Sequence, residues 1–151
     1  MIFPGSRGVS GTKTIDLINY KDRLISPYHP KQIFVYEGDN DIGYQWTPDE
    51  ILEQIKRLFF ILRKEKPEAE IIFISIKPSV RRLKDKERIE QTNALIKEFV
   101  EQQMNTAYAD VYNPMFTPKG ELFPEHYRED GLHLTAEGYA VWKEVISKYI
   151  K

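Results

Sequence analysis

The stretch that decides the fold is IIFISI at residues 71–76, the longest apolar run in the chain. The run has the length of a strand, and a continuously apolar strand is typical of a parallel sheet that is covered on both faces. Pro78 then breaks the chain. We therefore expect a buried strand here and an α/β fold around it.

Helical and strand patterns alternate on both sides of this run. Thr47-Pro48-Asp49-Glu50 is a capping box with proline at the first helical position, and it predicts a helix that ends before Pro67. This βαβαβαβα order predicts a parallel sheet with right-handed crossovers and helices on both faces. Strands are predicted around residues 2–3, 32–36, 71–76 and 107–111, and helices over 14–25, after Thr47, after Pro78 and after Thr135.

The composition excludes several classes of function. The 22 Lys and Arg residues are balanced by 23 Asp and Glu residues, and a net charge of -1 gives no field that attracts nucleic acid. The chain has no cysteine, which excludes disulfides, thiolate nucleophiles and cysteine-bound zinc. We expect a small or neutral partner, no nucleic acid and no cofactor.

The length and apolar content fit one domain over residues 1–151. No apolar stretch approaches the roughly 20 residues of a membrane span, and Met1–Arg7 lacks the pattern of a signal peptide. We expect a soluble chain without a membrane span. Its localisation is unknown, because an export signal can be lost upstream.

Three segments are candidates for a functional site. In a parallel sheet, ligands bind beyond the carboxyl ends of the strands. That rule selects the loop over residues 5–12, the turn over residues 38–41 and the loop that ends at His133. These segments are also the richest in Gly, Asn, Asp and His.

Asp130 and His133 are three residues apart, a separation that one turn of backbone can close into a hydrogen bond. This pair suits acyl transfer, because the aspartate would hold one ring nitrogen protonated and leave the other to take a proton from a serine hydroxyl. The alternative interpretation is a loop aspartate that caps the following backbone beside an exposed histidine.

Asn40 and Gly8 are candidate donors to an oxyanion. Asn40 follows a predicted strand, so its amide projects from the active edge of the sheet. Gly8 has no side chain and can offer its backbone N–H at close approach. A simple Asn/Asp turn is the alternative interpretation of residues 38–41.

Together these motifs resemble the SGNH (GDSL-like) hydrolases, a family of esterases, lipases and carbohydrate deacetylases. Residues 7–11 resemble the family's glycine block, residues 38–41 its Gly-x-Asn-Asp block and residues 130–133 its Asp-x-x-His block. Further similarity lies at residues 74–78, at Asn93 and at Gly138, Tyr139 and Trp142.

The resemblance implies a three-layer α/β/α sandwich of flavodoxin-like topology and an ester hydrolase acting on a small-molecule ester. The activity is that of a carboxylesterase, an acylhydrolase or a carbohydrate acetylesterase. Asp130 and His133 inherit the acid–base roles of a Ser-His-Asp triad. The resemblance also implies that the Gly8 N–H and the Asn40 side-chain amide donate to the oxyanion.

The nucleophilic serine of the family is not found in this chain. In the family a central first strand ends in a Gly-Asp-Ser block, and no such block precedes residues 7–11. We interpret Ser6 and Ser10, the serines near the site, as residues of backbone turns. We expect an N-terminally truncated domain whose strand at residues 33–36 has an exposed edge, which favours self-association.

Two other functions remain open, so whether the chain is an enzyme is uncertain. One is an inactive SGNH-like domain that binds an acyl or acetylated sugar ligand. The other is a metal site, but its candidate ligands match no metal motif, and we expect no metal. Those candidate ligands are Asp41, His126, Asp130 and His133.

Aromatic residues offer candidates for lining a sugar or acyl pocket. They are Tyr36, Tyr44, Trp46 and Trp142. Helix and strand cores use such residues more often than ligand sites do, so we expect core packing for Trp142.

Overall fold

The structure, a computed structural model, describes residues 11–24 and 28–151, without the side chain of Leu24. Within these residues three strands form one parallel sheet in the order β1-β2-β3. The strands are β1 (Gln32–Val35), β2 (Glu70–Ile74) and β3 (Thr106–Ala109). The helices are α1 (Thr14–Asn19), α2 (Lys21–Leu24), α3 (Asp39–Gly43), α4 (Pro48–Glu65), α5 (Lys86–Glu101) and α6 (Ala136–Ser147).

The apolar run at residues 71–76 supplies the middle strand of this sheet. Successive side chains of a strand point to opposite faces. Ile71 and Phe73 pack in one core cluster with residues of α4 and α5, and Ile72 and Ile74 pack in a second cluster with residues of α6. Helices therefore cover both faces of β2, and the predicted α/β class with a parallel sheet is confirmed.

The capping signals place two helix starts as predicted. The Thr47 hydroxyl accepts a hydrogen bond from the Glu50 N–H, and the Glu50 carboxylate accepts one from the Thr47 N–H at 2.8 Å. The Thr135 hydroxyl caps α6 in the same way by accepting from the Gly138 N–H. Each cap satisfies donors that the first helical turn leaves unpaired.

Several predicted bounds were wrong. The helix predicted over residues 14–25 is two helices, because Tyr20 leaves helical geometry between them. Residues 38–41 are not a simple turn: Gly38, at φ +105°, leads into α3. Strand β1 ends at Val35, β2 at Ile74 and β3 at Ala109, and a 3₁₀ helix over Val80–Asp85 precedes α5.

The sheet has an edge at β1. In the described residues β1 pairs with β2, and its other side pairs with no strand. The strand predicted around residues 2–3 lies outside the described residues, as do Ser6, Gly8 and Ser10. Among the described residues β1 is therefore an edge strand, and the exposure of this edge at residues 33–36 stays a prediction.

Candidate active site

The Asp130–His133 loop is a tight turn that the aspartate organises. One carboxylate oxygen of Asp130 accepts hydrogen bonds from the N–H groups of Leu132 and His133, both at 2.9 Å. The other oxygen lies 2.5 Å from Nδ1 of His133. Gly131 takes φ +65°, which a residue with a side chain rarely adopts. Both interpretations of this motif thus occur together, since the aspartate caps the backbone and also bonds the imidazole.

These contacts hold the pKa of the Asp130 carboxyl well below its ordinary value, first through the His133 hydrogen bond and then through the two backbone N–H groups. The carboxylate therefore stays ionised in mildly acidic solution. Its bond to Nδ1 orients the imidazole, whose side chain is 64% exposed. Nε2 of His133 has no hydrogen-bond partner among the described residues.

Backbone hydrogen bonds close the Asp130–His133 loop at its base. The Arg128 N–H donates to the His133 carbonyl and the Gly131 N–H donates to the Arg128 carbonyl, both at 2.8 Å. Tyr127 and Leu134 form an antiparallel bridge at the base of the loop. The imidazole thus sits on a closed backbone turn.

Asn40 lies in the first turn of α3, directly after β1. The left-handed Gly38 is required there, because a Cβ at this position would lie 2.7 Å from Ile76. The Asn40 side-chain amide donates to the Thr12 carbonyl at 2.8 Å. An amide nitrogen carries two hydrogens, so one of them remains for another acceptor.

A buried charge cluster beside Asn40 was missed from the sequence. Asp39 pairs with Nζ of Lys77 at 2.9 Å and with Nε of Arg82 at 2.8 Å. The available signal was a carboxylate at the end of one strand and two cations after the next, which the turn interpretation of residues 38–41 overlooked.

Asn93 connects α5 to the carboxyl end of β2. Its amide accepts from the Ile76 N–H and donates to the Ile76 carbonyl, both at 2.9 Å. Residues 74–78 and Asn93 resemble the family in sequence, but the sequence does not predict that they pair. It satisfies both backbone groups of a buried residue after β2 ends.

Two acidic side chains lie behind Asn40. Asp41 is buried and accepts from the N–H and the hydroxyl of Thr14; burial raises its pKa. Glu37 follows β1, and burial, helped by the charges of Asp41 and Asp16, raises its pKa to about 8. Neither carboxylate contacts His133 in the described structure.

The described residues contain no group of three or more His, Cys, Asp or Glu side chains placed to hold an ion. The Asp41 carboxylate is hydrogen-bonded to Thr14, whereas the Asp130 carboxylate is hydrogen-bonded to His133. His126 ends a 3₁₀ helix and its ring packs on Phe123 with centroids 4.9 Å apart.

The aromatic candidates separate into core and surface. Trp142 is buried in the core cluster beside α6, and Tyr36 packs edge-on against it at 4.8 Å between centroids. The expected core packing of Trp142 is confirmed. Trp46 is half-buried against the other cluster, while Tyr44 is exposed beside Lys13.

No serine of the described residues bonds to His133. Ser75 is buried and its hydroxyl accepts from the Val111 N–H. Ser79 is buried, and Ser147 donates to a carbonyl of α6. Among the described residues, Asp130, His133 and Asn40 therefore lie without a serine hydroxyl bonded to the imidazole.

Comparison with known proteins shows which family the chain belongs to. The model of the GDSL-like lipase/acylhydrolase family matches residues 2–141. The chain belongs to this family of ester hydrolases. None of the helices in the described part of the chain combines the length and apolar character needed to cross a membrane.

Solved structures agree on the fold. A proposed platelet activating factor from Streptococcus pneumonia is 26% identical, with a TM-score of 0.86 over 95% of this chain and 71% of that one. A carbohydrate esterase family 3 protein from Talaromyces cellulolyticus is 20% identical, with a TM-score of 0.79 over 93% of this chain and 67% of that one.

A curated relative is longer. The N-acylneuraminate cytidylyltransferase of Escherichia coli O18:K1:H7 (strain RS218 / NMEC) is 22% identical over 149 residues, or 97% of this chain. The chain spans about a third of that relative's length, 34%.

Proposed function

We propose that the chain carries the acid–base pair and the oxyanion donors of a serine ester hydrolase site. The observation that carries the proposal is the Asp130–His133 hydrogen bond, which leaves Nε2 of an exposed imidazole without a partner among the described residues. A base for ester hydrolysis needs this arrangement, one ring nitrogen oriented and the other open to the reacting hydroxyl.

In this mechanism Asp130 keeps the proton of His133 on Nδ1. Nε2 takes the proton of a serine hydroxyl as the oxygen attacks the ester carbonyl, and returns it to the alcohol that leaves. Asn40 and Gly8 donate to the oxygen that becomes negative. A preorganised donor of this kind lowers the barrier by about 3 to 4 kcal/mol. In the second half of the reaction, water gives its proton to Nε2 and attacks the acyl-serine carbonyl. The proton then returns to the serine oxygen as the acid is released.

The nucleophile in this proposal is a serine that the described residues do not supply. The outer edge of β1 gives it a place, because a parallel strand paired there would end at the same side of the sheet as β1 and β2. A strand ending in Gly-Asp-Ser would deliver its serine to that side. The catalytic site is then completed across the β1 edge.

For the substrate we propose an ester of a small acyl group with a carbohydrate. The His133 imidazole is mostly exposed and lies on a surface loop, which suits a short acyl group on a large polar alcohol better than a buried fatty chain. The carbohydrate esterase of similar fold supports this class. The curated relative, whose name specifies an N-acylated sugar acid, supports the carbohydrate part of it.

The test uses the 151-residue chain and a strand-extended protein, defined as the same chain with an N-terminal strand ending in Gly-Asp-Ser. We expect the strand-extended protein to hydrolyse 4-nitrophenyl acetate at least about 10³-fold faster than the unextended chain. His133→Ala should abolish this activity, while His29→Ala, which removes an exposed histidine, should not change it.

A folded strand-extended protein that hydrolyses no ester would overturn the proposal. If it then bound acetylated sugars without turnover, the chain would be the inactive binding domain that is the alternative function.

A further inference from the structure

The charge cluster of Asp39, Lys77 and Arg82 lies beside the candidate active site. Their side chains are 15%, 8% and 13% exposed, so the cluster is largely removed from water. It carries two positive charges and one negative charge. Such a cluster is costly to bury and contributes little net stability, but it can give conformational specificity.

The cluster fixes α3 at both ends. Asp39 begins α3 and receives the two cations. The Arg82 guanidinium also covers Gly43 at the end of α3, where a Cβ would lie 2.2 Å from Nη1. One arginine therefore spans the short helix that carries Asn40.

The same segment, residues 77–82, holds the Asp130–His133 loop. The Arg81 N–H donates to the Gly131 carbonyl at 2.9 Å, and the Val80 side chain packs against Gly131. The Tyr127 hydroxyl donates to the Pro78 carbonyl at 2.9 Å. Residues 77–82 thus contact both the helix that carries Asn40 and the histidine loop.

We propose that Asp39, Lys77 and Arg82 are positioning residues, which set Asn40 and His133 at the distance that ester hydrolysis needs. The Lys77 ammonium donates a hydrogen bond to one carboxylate oxygen of Asp39, which defines direction as well as contact, and the Arg82 guanidinium forms an ion pair with the other oxygen. No hydrogen bond or ion pair among the described residues joins Asn40 to Asp130 or His133 directly, so residues 77–82 provide the connection. The positioning role rests on the proposed function.

A spectroscopic test is independent of turnover. In the 151-residue chain, NMR follows the side-chain amide of Asn40 and the ring of His133. We expect Arg82→Gln to shift both sets of signals, although no hydrogen bond or ion pair in the described residues joins Arg82 to either side chain. Arg82→Lys, which keeps the charge, should restore them in part.

The matched control is Arg63→Gln. Arg63 donates to two carbonyls in the segment after α4 and to two in the segment before β3. These segments lie at the opposite end of the sheet from the candidate site. Its loss should lower the melting temperature without moving the Asn40 and His133 signals. Equal, unshifted signals in Arg82→Gln and Arg63→Gln would overturn the positioning role.

Kinetics of the strand-extended protein give the second readout. We expect Arg82→Gln to lower kcat for 4-nitrophenyl acetate about 10- to 100-fold, because a small misplacement of catalytic groups is costly, and to leave KM within about twofold. Should Arg82→Gln not fold, Lys77→Met is measured in its place. An unchanged kcat in a folded variant contradicts the positioning role, whereas an inactive parent contradicts the proposed function and leaves the NMR test standing.

Discussion

Asp130 organises the candidate site at the level of single residues. It accepts two backbone N–H groups with one oxygen and bonds the His133 imidazole with the other. An amide in place of the carboxylate can keep the backbone contacts but presents its own N–H or a weaker acceptor to Nδ1. The imidazole would then lose its orientation and its proton would no longer be held on Nδ1.

For Asp130→Asn in the strand-extended protein we predict that kcat falls about 10³- to 10⁴-fold. The hydrolysis of 4-nitrophenyl acetate under saturating substrate measures this. Asp110→Asn, at an aspartate that caps the turn after β3, is the control and should stay near the parent. Equal rates for the parent and Asp130→Asn would show that the carboxylate does not assist the histidine.

Glu37 gives the molecule a pH dependence. Its pKa is raised from 4.5 to about 8, first by burial. A group whose pKa is raised on folding stabilises the protein fully below its ordinary pKa, and this contribution is lost as the pH rises through the folded value. Stability due to Glu37 should therefore decline between about pH 4.5 and pH 8.

We predict that the parent loses about 2 kcal/mol more of its free energy of unfolding than Glu37→Gln does between pH 5 and pH 9. This difference is smaller than the full pKa shift would give, because the side chain is only partly buried. Urea unfolding at several pH values measures this. Glu98→Gln, at an exposed residue of α5, should keep the slope of the parent. The prediction fails if Glu37→Gln and the parent have the same slope.

The residues of the site were partly predictable from the sequence. Asp130 and His133 are close in the chain, so local geometry alone brings them together. The roles of Gly8 and Asn40 stay predictions, and Gly8 lies outside the described residues. Asp39, Lys77 and Arg82 were not predicted, because their contact depends on how two strands and a 3₁₀ helix pack.

At the level of elements, Asn93 links helix α5 to the end of β2. The Ser75 N–H still donates to the Ala109 carbonyl of β3, and at the next residue Asn93 takes over by bonding both backbone groups of Ile76. Ile76 is fully buried and cannot turn to water. A leucine at residue 93 would leave the N–H and the carbonyl of Ile76 without these partners.

We predict that Asn93→Leu lowers the free energy of unfolding by about 3 kcal/mol, since each buried polar group left unpaired costs about 1 to 3 kcal/mol. Urea denaturation measures the change. Gln91→Leu, at an exposed site of the same helix, should change stability by less than about 0.5 kcal/mol. Similar losses in both variants would show that the backbone of Ile76 finds other partners.

Helix starts were more predictable than the segments between elements. Thr47 and Thr135 cap their helices through contacts three residues away, which the sequence displays directly. Helix α3 was missed because its five residues rely on Gly38 and on Arg82 from a distant segment. The 3₁₀ helix before α5 was merged into a longer helical pattern for a similar reason.

At the level of the whole molecule, the outer edge of β1 is the feature with the largest consequence. An unpaired edge presents N–H and carbonyl groups that pair readily with another strand. For the 151-residue chain we predict self-association that increases with concentration, measured by sedimentation velocity. The strand-extended protein should be monomeric, because its added strand covers the edge.

A 151-residue chain that stays monomeric over a wide concentration range would contradict this role for the β1 edge. The parallel sheet and its helical layers followed from the alternation of apolar patterns along the chain. The edge followed from the family resemblance, because the position of a strand in the sheet depends on topology, which local patterns do not specify.

The most direct test of the account is covalent labelling of the nucleophile. The strand-extended protein is treated with a fluorophosphonate, and mass spectrometry locates the adduct and follows its formation. We predict a single adduct on the serine of the Gly-Asp-Ser block, formed at least about 100-fold more slowly in His133→Ala. Labelling of that serine at the same rate in parent and His133→Ala, or no labelling of a folded protein, would contradict the claim that Asp130 and His133 activate a serine.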